Sequence, residues 1–207
     1  MLPVRTGSKP LDHSITTFSH ARLPFTALLG SLETPANERE NFLSVTGRIS
    51  VGSLALTMGL LPMLKRSVYV AGKYSINRQI LSSKNEPISI ISLRTQQQPI
   101  LHALASIAVL ETYTQESIQL FQDPTLEPAV QHGIVAAFKA VVVQATHSAL
   151  YALSERCGAR GLYAENHIIE SLLDSHAISI AEGDTLALSI SMFCKPLNRF
   201  FYAQLDG

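Results

Sequence analysis

Cysteine is scarce in this chain: Cys157 and Cys194 are the only two thiols in 207 residues. Two thiols build no disulfide framework, and a reducing compartment is the expectation. Tryptophan is absent, and charged residues reach only 15%, split evenly between 16 basic and 16 acidic side chains. Without an excess of either sign there is no electrostatic footprint for nucleic acid or an anionic membrane surface. Long apolar runs are missing too. The most apolar window, Val51 to Leu64, is broken by Gly52, Gly59 and Pro62 and is too short to span a bilayer. The segment "MLPVRTGSKPLDH" has no apolar signal core, and "AQLDG" carries no peroxisomal or retention tripeptide. These features predict a soluble, cytoplasmic protein.

Metal-ligand spacing is also lacking. The seven histidines form no His-x-x-x-His or Glu-x-x-His pair, so no metal site is predicted. His167 and His176 are too far apart to share one face. No nucleophile elbow, phosphate-binding loop or Rossmann glycine pattern occurs.

What the chain does have is apolar content, 46%, on few charges. That balance predicts a sizeable core and further burial by self-association, as a homo-oligomeric dimer or tetramer. Residues 1–33 read as an extended arm or strand remnant, with β-branched residues in "SITTFSHARLPFTALLG" and Pro24 as a stop. Residues 34–207 read as one helical domain. Asn37 is a candidate N-cap, and apolar residues recur at helical spacing from Phe42 to Val68, which predicts one long helix to about Ser75, bent at Pro62. "LSSKNEPIS" is a loop. A second helix is expected from about Ile88 to Gln122 through Pro99, and a third from Pro128 to Arg156. The third is apolar almost all round, the mark of a central helix. A short helix over about Asn166 to Ser175 and a last one from Asp184 to about Tyr202 complete an all-α bundle with short connections.

Two segments could carry chemistry. In "IAEGDT", Glu182 lies between Ala181 and Gly183. Apolar neighbours disfavour a charged carboxylate and move it towards the range of a useful base, provided water is kept away. Gly183 permits close approach, and the amides near Asp184 and Thr185 open a helix where an oxyanion could be held. Equally, Glu182 reads as complementing a helix dipole, with Asp184 as the cap. The turn "CGARG", with Gly158, Ala159 and Gly161, could wrap a phosphate or simply end a helix.

Together these segments resemble the C-terminal helical domain of the acyl-CoA dehydrogenase and acyl-CoA oxidase superfamily. The family's glycine-rich turn, Glu-Asn, short helix and Ala-Glu-Gly sequence are matched by "CGARGLYAENHIIESLLDSHAISIAEGDT", nearer the oxidase branch. "HARLPFTALLG" resembles the end of the family's β-domain. "AGKYSINRQIL" resembles Arg-Tyr-Ser-x-x-Arg-x-x-Phe, and "ISLRTQQQPILHALA" resembles Asp-Tyr-Gln-Thr-Gln-Gln. The order is the family's over nearly the whole chain.

The resemblance implies a four-helix bundle of the acyl-CoA dehydrogenase C-terminal type, with a short N-terminal extended remnant. It puts Glu182 at the place of the base that takes the α-proton of an acyl thioester. Gly158, Ala159 and Gly161 fall on the turn that meets flavin dinucleotide across a subunit boundary, Arg78 on the arginine that meets its pyrophosphate, and Arg94 where the family has a glutamine. Leu81 stands in place of an aromatic residue, and Ala159 in place of the turn's second glycine. The family's N-terminal helical domain and nearly all of its β-domain have no counterpart here.

Three functions follow as expectations. The first is a flavin-free enzyme in which Glu182 drives proton transfer, isomerisation or cyclisation of an acyl or polyketide-type substrate of secondary metabolism, with no cofactor on the chain alone. The second is one chain of an FAD-dependent acyl-CoA dehydrogenase or oxidase that needs a companion chain for α,β-desaturation. The third is a non-catalytic helical scaffold. His176 is a candidate secondary site residue beside Arg94.

Overall fold

The computed structural model describes residues 14–28, 30–31 and 33–192. From Glu38 to residue 192 the chain is mostly helical. Helices α1 (Glu38–Thr46), α2 (Arg48–Met58) and α3 (Leu60–Asn77) follow one another, and a small hairpin of β1 (Gln79–Leu81) and β2 (Pro87–Ser89) leads into α4 (Arg94–Gln122). Then come α5 (Pro128–Arg156), α6 (Ile168–Ile180) and α7, described over 185–192. This is the all-α bundle expected.

Helix α5 is its axis, packing against α2, α3, α4 and α6. That position buries Val135, Phe138, Val142, Val143, Leu150 and Leu153, while Val130, Val141 and Tyr151 on the same helix stay exposed. One part of the core joins Leu64, Val68 and Ala71 of α3 to Ile100 and Ile107 of α4, Leu150 and Leu153 of α5 and Ile168 of α6. The other joins Leu54 of α2, Leu60 and Leu61 of α3 and Leu110 of α4 to Phe138 and Val142 of α5. Each fully buried Leu or Phe contributes roughly 1.5–3 kcal/mol over leaving it in water. The stretches Arg48–Asn77 and Pro128–Arg156 reach the length and hydropathy of a bilayer-crossing helix, where the sequence reading found none long enough. Tertiary packing buries 44% of each apolar window.

Proline chemistry corrects the first helix. The expected single helix to Ser75, bent at Pro62, is three helices interrupted at Gly47 and Gly59. Pro62 has no N–H for the carbonyl four residues back, that of Met58, and its ring crowds that oxygen. α2 therefore ends at Met58, and Pro62 falls within the first turn of α3. Pro99 has a different outcome. It sits inside α4 without ending it. The carbonyl it leaves without a helical donor is that of Thr95, and Arg156 Nη1 donates to this oxygen at 3.3 Å.

The second helix starts at Arg94 instead of Ile88, because residues 87–89 pair antiparallel with 79–81 and a 3-10 turn covers Ile90–Ser92. In the loop between the strands, Asn85 takes φ 62° and donates its amide to the Ser82 carbonyl. α6 runs to Ile180, beyond the expected Ser175. The expected helix from Asp184 is observed over 185–192, and its remainder to Tyr202 lies outside the described residues. Residues 14–28 form no strand, only a 3-10 turn at Phe25–Ala27, and Phe18, Leu23 and Phe25 are exposed. The arm's residues 1–13 lie outside the described residues.

Candidate functional site

The turn between α6 and α7 is built from residues with unusual backbone. Glu182 has φ 54° and Gly183 φ 97°. Left-handed geometry costs a non-glycine residue of order 1 kcal/mol or more, so it persists only where its surroundings enforce it. Three successive carbonyls of the turn are held by side chains from other helices. Lys139 of α5 donates its Nζ to the carbonyls of Ala181 and Gly183. Ser53 of α2 donates its hydroxyl to the carbonyl of Glu182 at 2.6 Å. Thr185 Oγ1 closes the far side by donating to Ser179 O at 2.8 Å.

Gly52 completes the floor. A Cβ built there would lie 2.9 Å from Glu182 Cδ and 3.1 Å from each carboxylate oxygen. The carboxylate therefore rests in the space that a side chain on α2 would fill.

Lys139 is 1% exposed, in the middle of an apolar helix. A buried ammonium is costly unless its protons are bonded, and here two carbonyls accept them. Burial pushes its amine below the ordinary lysine range, while the charges of Asp184 and, less strongly, Glu182 pull it back up.

One sequence expectation is corrected here. The reading of Glu182 as a base needs water kept away from it; the residue is exposed. Further along the helix start, two amides are already taken. Asp184 Oδ1 accepts the N–H groups of Leu186 and Ala187 at 3.0 Å each, and the Thr185 hydroxyl is committed to Ser179. Asp184 is a helix cap, the plainer of the two readings.

The residues matched to flavin binding lie elsewhere. Arg78 is the exposed C-cap of α3, and Arg94 is the exposed first residue of α4. These ends are tied together with that of α5 by Gln96, whose Nε2 donates to Ser75 Oγ at 2.8 Å and to Arg156 O at 2.7 Å. Arg94, Gln97, Leu101 and His102 line an open groove of about 350 Å³. A second groove of about 380 Å³ continues between α4 and α5, past Pro99, Ser106 and Ser148.

The glycine turn is at this end too. Gly158 follows the α5 cap with φ 57°, and a Cβ there would meet nothing. A Cβ on Gly161 would lie 2.1 Å from Ser154 O, so this glycine is required by the fold itself. Cys157 and Lys139 are eighteen residues apart on α5 and its cap, about 27 Å at 1.5 Å per residue. The structure groups Arg78, Arg94, Gly158, Ala159 and Gly161 at one end of the bundle. It does not bring them to Glu182.

His176, proposed as a secondary site residue, has its ring 6.1 Å from that of His147, and His167 pairs with Glu170 at 2.6 Å. Neither is at the Glu182 turn. Sequence reasoning missed Lys139, Gly52 and Ser53. A signal existed for Lys139: it is the single Lys, Arg, Asp or Glu between Pro128 and Ser154.

Comparison with known proteins gives a consistent set of relatives. The family model described as acyl-CoA oxidase, C-alpha1 domain, matches residues 48–193. Peroxisomal acyl-coenzyme A oxidase 2 of Arabidopsis thaliana is 24% identical over 215 aligned residues, which cover 95% of this chain and 31% of the relative. Among solved structures, acyl-CoA oxidase-1 of Caenorhabditis elegans, complexed with FAD and ATP, superposes with a TM-score of 0.65 at 19% identity, over 70% of this chain and 23% of that one. Butyryl-CoA dehydrogenase of Megasphaera elsdenii superposes with a TM-score of 0.66 at 13% identity, over 78% of this chain and 40% of that one. At such identities the structural likeness shows the fold. The chain spans under a third of the length of the oxidases it matches.

Proposed function

The chain belongs to the acyl-CoA oxidase family through its C-alpha1 domain, and from that membership we propose that it is the helical part of an FAD-dependent acyl-CoA oxidase or dehydrogenase. In this reading Glu182 takes the α-proton of an acyl thioester, and further domains on a companion chain close the site. One observation carries it. Glu182 stands on a turn held at three consecutive carbonyls, yet the residue is exposed. A base so firmly placed and so poorly enclosed suits a surface that another domain covers.

The residues at the other end suit the anionic part of a dinucleotide. Arg78 and Arg94 are exposed arginines whose guanidinium donors match phosphate geometry, and a Cβ at Gly158 would meet only open space. No described residue there encloses a flavin ring. Arg78, Arg94 and the 158–161 turn would hold the dinucleotide's phosphates, and FAD when bound supplies the acceptor for the hydride leaving the β-carbon. Glu182 receives the α-proton on its carboxylate. The distance along α5 supports a self-associated assembly in which one copy's arginine end serves another copy's Glu182.

The flavin-free isomerase or cyclase reading needs an enclosed apolar cavity in front of Glu182. The exposure of that side chain favours the oxidoreductase reading over it. The test is the visible spectrum and turnover of the chain alone and of the chain recovered with its native partners. Flavin and thioester desaturation are expected only in the second preparation, with turnover reduced by roughly 10²–10⁴-fold in Glu182→Gln while flavin stays bound. Flavin-independent isomerisation of a thioester by the chain alone would reinstate the first reading. Turnover unaffected by Glu182→Gln would leave the helices as a scaffold.

A further inference from the structure

The turn needs an agent that keeps Glu182 in a left-handed conformation that a non-glycine residue does not favour. Two donors reach it from two helices. Ser53 binds the carbonyl of Glu182, and Lys139 binds the carbonyls on either side of it. Ala181 is also the C-cap of α6, so the ammonium sits at the negative end of that helix, where a cation is favoured.

Simple stability does not explain a lysine there. On α5, position 139 is itself buried and is flanked in sequence by the buried Val135, Phe138, Val142 and Val143, so an apolar residue could occupy it without desolvating a charge. What an apolar residue could not do is bond two carbonyls that flank a single acid.

We propose that Lys139 is a positioning residue for Glu182: by bonding the carbonyls on both sides of it, the buried ammonium holds the turn in the left-handed form that lays the carboxylate over Gly52. This rests on the reading of Glu182 as the base. Lys139 touches no reacting atom; it acts through the acid it places. Because the same ammonium is attracted by Asp184 and Glu182, it also favours the carboxylates staying on this side of the turn.

The experiment compares Lys139→Met, Lys139→Arg, Glu182→Gln and the double variant Lys139→Met with Glu182→Gln. In the complete, partner-bound enzyme, Lys139→Met is expected to lower kcat by roughly tenfold to a hundredfold with KM nearly unchanged, since misplacing a reacting group by an ångström has effects of that size. Lys139→Arg, which keeps charge and donors, should retain more of kcat. The double variant should be no slower than Glu182→Gln alone. In the chain by itself, Lys139→Met should speed hydrogen exchange at the amides of residues 182–185 at least about tenfold while leaving the core of α3 unchanged.

Should Lys139→Met fail to fold, Ser53→Ala removes the third tether and is expected to give the same two effects more weakly. An unchanged kcat and an unchanged exchange rate in Lys139→Met, or in Ser53→Ala if that is the only soluble variant, overturns the inference. So does a loss that adds fully to that of Glu182→Gln. If Glu182→Gln leaves turnover intact, the functional reading fails, and the exchange rates still decide whether Lys139 holds the turn.

Discussion

Gly52 lies directly beneath the carboxylate of Glu182, at a distance that leaves no room for a Cβ. The contact joins residues 130 positions apart, on α2 and on the α6–α7 turn. The obstructing atoms belong to the tip of a flexible side chain, so the carboxylate can move aside without breaking the fold.

Gly52→Ala is therefore expected to separate stability from function. Alanine within a helix gains about 0.5–1 kcal/mol over glycine, and that gain should survive in a denaturant titration. Turnover in the partner-bound enzyme should fall, with KM nearly unchanged. A variant that is both more stable and fully active would show that the carboxylate's place over Gly52 has no part in catalysis.

At the other end of α5 the two glycines should behave differently. Gly161→Ala places a Cβ against the backbone oxygen of Ser154, which cannot swing away, and a loss of roughly 2–4 kcal/mol is expected. Gly158→Ala meets open space and carries only the left-handed backbone penalty, about 1–2 kcal/mol. Equal losses in urea unfolding would contradict the distinction.

Arg156 and Pro99 should be coupled. Arg156→Met removes the donor to the Thr95 carbonyl and is expected to cost about 1 kcal/mol. In a Pro99→Ala background the new amide satisfies that carbonyl within the helix, and the loss should shrink. A double-mutant cycle measures this; strictly additive effects would mean that the Arg156 contact stabilises nothing.

Alkaline pH should weaken the fold through Cys157. Burial raises this thiol above its ordinary value of 9.0. The native state keeps the proton after the unfolded chain has released it, so the stability it contributes is complete below pH 9.0 and is lost as pH rises towards the native value. Lys139 works in the opposite sense. Its native value lies below 10.5, so on this account stability rises with pH up to that point. Urea midpoints taken from about pH 8 to about pH 10 should fall less steeply in Cys157→Ala than in the natural chain. Parallel curves would remove Cys157 as the cause.

The helices with strong punctuation were legible in the sequence. Pro128 at the first position of α5 and Gly158 beyond its cap mark its span, and Asp184 signals the start of α7. The β1–β2 hairpin was not legible, since three-residue strands are too short to show alternation. The break at Gly59 was missed because Pro62 acts four residues upstream of itself, on the Met58 carbonyl. Glu182 was legible as a candidate base through its neighbours and the family pattern, but exposure is a property of the assembled surface. Lys139 was hidden for a related reason. A lone lysine in an apolar helix reads as a side chain reaching for solvent, and its true acceptors lie more than forty residues further along the chain.

Because unbroken helix joins Lys139 to Cys157, α5 works as a ruler between the acid and the glycine turn. Substitutions can accumulate along its outer face, whereas insertions cannot. One added or deleted residue would swing everything beyond it by about 100° and change the span by about 1.5 Å. The number of residues in this stretch is thus held more tightly than their identities.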